Sequence, residues 1–222
     1  MPKVPAPPSH AALLAAELNQ TALLVMQHQV LHHIYPTTYA PDSFNPGLGS
    51  GRFHPILAAD GKLVPIFYAA DTEEGSYCET LFRAIGNGDN NNISPRRAPG
   101  KRVAAHSHAQ LALATPAPLK LAHLSGNQLH RLGITRAALL EPGMPHYVQT
   151  AAWAAAIHAA YPALHGLAWL SRQHDTSTCM MFFGDRVASS QLTVLATQDL
   201  SSVAGRAQAD AVGRRLSIVI TR

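Results

Sequence analysis

The sequence predicts an α+β fold in a single domain, with mixed β-strands packed against helices. Three observations lead there. Of 222 residues, 47% are hydrophobic and only 14% charged, enough to bury roughly 70% of the unfolded surface around one core. Stretches of strand and helix character follow one another without the strand–helix–strand rhythm of a parallel sheet. No internal repeat or linker marks a second domain, so residues 1–10 read as a flexible Pro-rich arm and 11–222 as the folded domain.

Taken in order, Ala11 to Gln27 has helical composition, with leucines at 13, 14, 18, 23 and 24 and Ser9 as N-cap. Val30 to Tyr35 reads as a strand, and Pro36 to Gly61 as a long loop ordered by turns. Leu63 to Ala70 is a buried strand introduced by the Asp60-Gly61 turn. Thr72 caps the next helix, whose first turn holds Glu73 and Glu74 where the dipole favours them. A turn-rich loop over G-N-G-D-N-N-N follows. Strands are expected at Arg102–Ala114 and Leu119–Leu124, and helices at Gly126–Leu132 and Tyr147–Tyr161. Gly166–Ser171 and Cys179–Phe183 read as paired strands. A strand near Gln191–Ala196, a helix near Val203–Leu216 and a strand Ser217–Thr221 complete the chain.

Bulk chemistry excludes several functions. No run of 18 apolar residues or secretory leader is present, which argues against a membrane span and for a cytoplasmic protein. Cys78 and Cys179 are too few for a disulfide framework and read as buried free thiols. A net charge of +4 permits anionic partners, but outside Arg96, Arg97, Lys101 and Arg102 the basic residues are scattered. Direct nucleic-acid binding is not expected. The thirteen histidines lack H-E-x-x-H or Cys-x-x-Cys spacing, and His106 with His108 would supply two ligands at most. No metal is expected.

The chemistry-bearing stretch is S-F-N-P-G-L-G-S-G-R-F-H-P, residues 43–55, which delivers Arg52 between Gly51 and Phe53. Guanidinium offers a planar fork of donors suited to phosphate, and glycines admit close approach of an anion. Tyr68 follows in P-I-F-Y-A-A-D, and Glu79 stands eleven residues later. A lone carboxylate there suits a reaction that builds positive charge on a sugar. Taken singly, Tyr68 also suits a core position, Arg52 a loop pin, Glu79 a solvent-facing helix position and Ser171 a strand end.

Together these stretches resemble the RES-domain family over residues 30 to 218; the stretches G-L-A-W-L-S-R and C-M-M-F-F add to the likeness. The family is similar in fold to diphtheria-toxin-like ADP-ribosyltransferases, so the resemblance implies such a core. It further implies a toxin that consumes NAD as its substrate, with water, phosphate or a protein side chain as acceptor, and that is neutralised by an Xre-type antitoxin, through which it could also oligomerise. Carried over by position, Glu79, Tyr68 and His33 are the catalytic set, with Arg52, Gly51, Phe53 and Ser171 binding the dinucleotide. His33 stands where the family has an arginine, giving a His-Tyr-Glu set like that of the diphtheria-toxin branch. If His32 takes that place, the register shifts by one. The alternative is a catalytically weakened RES fold that binds a nucleotide or a partner protein.

Overall fold

A computed structural model describes residues 4–85 and 96–222. The first half contains α1 (His10–Ala15), β1 (Leu23–Val25), β2 (Val30–Pro36), β3 (Ile66–Ala70) and α2 (Glu73–Thr80). Next come β4 (Arg96–Pro99), α3 (Gly100–Ala104), β5 (His106–Leu113) and β6 (Leu119–His123). The helices α4 (Gly126–Arg131), α5 (Arg136–Leu139) and α6 (Tyr147–Ala160) follow. The chain then forms β7 (Gly166–Leu170), β8 (Thr178–Phe183), β9 (Leu192–Asp199), α7 (Val203–Arg215) and β10 (Ile218–Thr221).

Eight strands form one sheet in the order β1-β6-β7-β8-β3-β2-β5-β9, antiparallel except for β6 with β7. The apolar strands β7, β8 and β3 sit side by side near its middle, because strands covered on both faces need near-continuous apolar runs. One face carries Ile66, Ala70, Leu167, Trp169, Cys179, Met181 and Phe183 against α1 and α4 to α6. In α6, Tyr147, Thr150, Ala151, Ala154, Ile157 and His158 recur at helical spacing and are buried. The opposite face collects Val25, Leu31, Phe67, Leu111, Leu121, Met180, Phe182 and Leu192 from strands at both ends of the sheet. Residues from opposite ends meet there because the sheet curls on itself. A third cluster joins α2 and α7 through Tyr77, Phe82, Ala209 and Val212. The result is an α+β fold of the predicted class.

Several expected boundaries change. The helix over Ala11–Gln27 stops at Ala15: Glu17 takes a left-handed φ of 51°, and Leu23–Val25 pairs with β6 as an edge strand. Arg102 lies in α3, its guanidinium donating to the Thr80 carbonyl, and strand pairing begins only at His106. The arm expected to be flexible is packed from Val4, which is buried, and the Pro5 carbonyl accepts from Trp153 Nε1 at 2.8 Å. The predicted G-N-G-D-N-N-N loop lies outside the described residues. Cys78 and Cys179 are buried free thiols, and burial pushes Cys78 up to about 12.

Gly166 marks the tightest approach in the sheet, since an added Cβ would lie 2.0 Å from the Met181 carbonyl oxygen. Gly166→Ala is expected to lower unfolding free energy by about 3 kcal/mol, the upper part of the usual overpacking range. Urea denaturation measures this; a midpoint equal to the native one would mean that β7 and β8 part without cost.

Candidate functional site

The site exists because two neighbouring strands do not zip together. β2 follows β5 along its whole length, and β3 follows β8, but β2 and β3 pair only at His32 with Ala70. Beyond that pair the strands diverge, and a cavity of about 220 Å³ opens between them. The freed backbone groups find other partners, as buried polar groups must. Asn45 exchanges two 2.8 Å backbone bonds with Ile66, and His33 Nδ1–H donates to the Tyr68 carbonyl at 2.6 Å.

Four residues singled out in the sequence line this cavity: His33, Arg52, Tyr68 and Glu79. They reach it from four segments. β2 carries His33, whose ring also packs against Phe67 at 4.2 Å. β3 carries Tyr68, held by its hydroxyl: the oxygen accepts from Phe53 N–H at 3.3 Å, and the phenol O–H donates to Nδ1 of a neutral His54 at 3.0 Å. The ring itself stands edge-on to Trp169 at 6.2 Å. Glu79 comes from the last turn of α2, begun by Thr72, whose hydroxyl accepts from Gly75 N–H at 3.1 Å.

Three residues assigned to dinucleotide binding lie outside the lining. Ser171 is fully buried and donates its hydroxyl to Glu79 Oε1 at 3.0 Å, so it holds the carboxylate from behind. Phe53 is fully buried against Trp169, with ring centres 5.0 Å apart, because its side chain points into the helix-covered core. Gly51 makes room for an imidazole rather than an anion: a Cβ there would lie 2.1 Å from His54 Cε1. Arg52 is also a pin, its Nη1 donating to the carbonyls of Leu140 and of Pro142, the latter at 3.3 Å. Its buried Nε has no partner among the described residues.

The lining adds His54, Arg83 and Tyr147, which sequence reasoning did not select. Arg83 stands four residues after Glu79, about one helical turn, and that spacing was the available signal. The predicted turns of the 43–55 loop are present: Asn45 Oδ1 accepts from Gly47 and Leu48 N–H at 2.9 and 2.7 Å, and Gly47 and Gly49 have φ of 98° and 75°. Only glycine adopts that conformation cheaply. His106 and His108 do not form a ligand pair. His106 Nδ1–H donates to the Arg102 carbonyl at 2.8 Å, while His108 stacks on His32. Among the described residues no group of three or more His, Cys, Asp or Glu side chains is placed to hold a metal, and no helix is long and apolar enough to cross a membrane.

Among the described residues, the cavity lining holds one carboxylate, two guanidinium groups and two imidazoles. Burial lowers His33 to about 4, and burial together with Arg83 lowers His54 to about 4, so both rings are neutral near pH 7. Burial raises the Tyr68 phenol, which stays protonated. Neutral His33 with its proton on Nδ1 leaves Nε2 as an acceptor; it supplies no cation. His108 is likewise lowered to about 4 by burial.

These buried rings set a pH dependence. Each is neutral when folded and takes a proton once unfolded below about pH 6.5, so the unfolded chain binds more protons and stability falls between pH 6.5 and 4. At about 1.4 kcal/mol per unit, each ring accounts for a loss of about 3 kcal/mol by pH 4. Urea unfolding at pH 7, 5.5 and 4.5 is expected to show this decline, with a shallower slope in His108→Asn; a flat profile would mean the rings protonate inside the fold.

Comparison with known proteins adds to this geometry. Residues 26–201 match the RES domain model. No curated protein matches the chain significantly. A chain of the crystal structure of the M. tuberculosis MbcT–MbcA toxin–antitoxin complex superposes with a TM-score of 0.59 at 14% identity, covering 88% of this chain and 96% of that one. At that identity the likeness speaks for the fold alone. The family match spans most of the sequence and includes His33, Arg52, Tyr68, Glu79 and Ser171: the chain belongs to the RES-domain family.

Proposed function

We propose that the protein is a toxin that consumes NAD by cleaving its nicotinamide–ribose bond. One observation carries the reading: a carboxylate, Glu79, braced by Ser171, faces the same cavity as the fixed phenol of Tyr68 and two guanidinium groups. Departure of nicotinamide leaves positive charge on the ribose, and a fixed anion beside the anomeric carbon lowers that barrier. At ~4 Å and an effective dielectric of ~20, the attraction is about 4 kcal/mol, or roughly a thousandfold in rate.

The other residues position the substrate. Tyr68 offers its ring face to the nicotinamide, worth about 0.5–1.5 kcal/mol beyond burial, and its anchored hydroxyl keeps the ring from turning. His33 Nε2 accepts a hydrogen bond from a ribose hydroxyl. The guanidinium groups attract the phosphates. Glycohydrolysis, phosphorolysis and ADP-ribosyl transfer share this bond-breaking step and differ in the acceptor that follows. The match to a toxin–antitoxin complex supports a protein antitoxin as the partner; an Xre-type antitoxin and action in the cytoplasm complete the proposal.

One observation favours a second reading, a weakened enzyme that serves as a binding module. His33 is neutral, where the resemblance placed an arginine. His33→Arg separates the two: nicotinamide release rising about tenfold or more favours the weakened enzyme, while a fall supports histidine as the working residue.

Glu79→Gln keeps the shape and removes the charge. It is expected to fold normally by circular dichroism and to lose nicotinamide release by about a thousandfold. Turnover within threefold of native would remove Glu79 from the mechanism. Ser171→Ala is expected to give an intermediate loss of about tenfold, since only the brace of the carboxylate goes.

A further inference from the structure

The cavity contains two arginines, and they are not in the same state. Arg52 is spent on the protein: it is buried, its Nη1 donates to two carbonyls of the segment before α6, and its own carbonyl accepts from the Thr150 hydroxyl. Arg83 is half-buried, and its guanidinium makes no hydrogen bond or ion pair among the described residues. Its main chain, by contrast, is tightly held. The Arg83 carbonyl accepts from Arg172 Nη2 at 3.1 Å, and Gln173 Nε2 donates to the carbonyls of Phe82 and Ile85 at 3.1 and 2.9 Å. A cation with a fixed root, and with a fork that no described residue uses, is arranged to receive an anion.

We propose that Arg83, beside Arg52, forms the subsite for a diphosphate, and that this subsite makes the cavity select a dinucleotide over an uncharged nucleoside. The inference rests on the NAD reading above and gives the main phosphate contact to Arg83 rather than to Arg52, where the resemblance placed it. Two observations support it independently. The guanidinium carbons of Arg52 and Arg83 lie 5.9 and 6.0 Å from the centre of the same Tyr147 ring, so both cations border one wall. Among the described residues that line the cavity, Glu79 is the one carboxylate, so no second acid there neutralises the guanidinium pair. Charge count agrees. Two guanidinium groups match the roughly two negative charges of a diphosphate, which leaves Glu79 for the sugar. Arg52 contributes its charge, while Arg83 contributes its fork of donors as well.

The test is calorimetric titration of the full chain with ADP-ribose, which carries the diphosphate, and with adenosine, which does not. The native protein is expected to bind ADP-ribose about ten- to hundredfold more tightly than adenosine. Arg83→Ala is expected to erase most of that difference with little change in thermal midpoint, because among the described residues its guanidinium makes no hydrogen bond and only borders the Tyr147 ring. Arg83→Lys should recover part of it, a point charge without the fork. Arg52→Lys is expected to lower the thermal midpoint, since the carbonyl pin is removed. ADP-ribose binding by Arg83→Ala equal to native, or no preference for ADP-ribose in the native protein, overturns the proposal. Arg83-dependent ADP-ribose binding without any nicotinamide release would instead remove the catalytic reading and leave this subsite standing.

Discussion

The structure depends on one interrupted ladder. Had β2 and β3 paired along their length, the sheet would be continuous and the site absent. Pairing at His32 and Ala70 alone leaves backbone groups that would be costly if buried bare. The chain resolves this locally, with Asn45 pairing to Ile66 and the His33 imidazole capping the Tyr68 carbonyl. His33 is therefore part of the opening itself, and its proton is committed to Nδ1. The same bond explains why a histidine this deep is tolerated: as a neutral donor it satisfies a carbonyl that the parted strands left behind.

How the cavity distributes charge follows from burial. An imidazole loses its proton when desolvated, so His33 and His54 contribute hydrogen bonds and no field. Among the described residues of the lining, the field comes from Glu79, Arg52 and Arg83. Neutral His54 has a further use, since it takes the hydroxyl of Tyr68 while Phe53 N–H supports the same oxygen. A tyrosine fixed at its tip presents its face without the entropy loss of finding that pose on binding.

Much of this was legible in the sequence, and the failures have identifiable causes. Strong patterns read correctly: the β7–β8 hairpin, the α6 face, the Thr72 cap and the glycine turns of the 43–55 loop. The first helix was overextended because leucines at 13, 14, 18, 23 and 24 fit a helical period, yet the left-handed turn at Glu17 sends Leu23 to a sheet edge. At the site, His33, Arg52, Tyr68 and Glu79 were singled out and line one cavity, but directions were read less well. Gly51, Phe53 and Ser171 belong to the support of the cavity rather than to its wall, and a sequence does not tell the front of a residue from its back. Arg83 went unselected because a helix-end arginine looks like a dipole partner on a solvated face. Only the fold shows it turned inward.

Direction also explains how opposite charges share a small space without cancelling. Glu79 and Arg83 are four residues apart, a spacing that on a regular helix invites an ion pair, yet no such pair forms among the described residues. The segment after β7 keeps them separate. Ser171 holds the carboxylate, and the next two residues, Arg172 and Gln173, hold the backbone that carries the guanidinium. Three consecutive residues thus fix an anion and a cation from one side, each bound where its charge stays available. Hydrogen bonds from this segment, rather than an ion pair with each other, fix where the two residues sit, so both charges remain in the cavity lining.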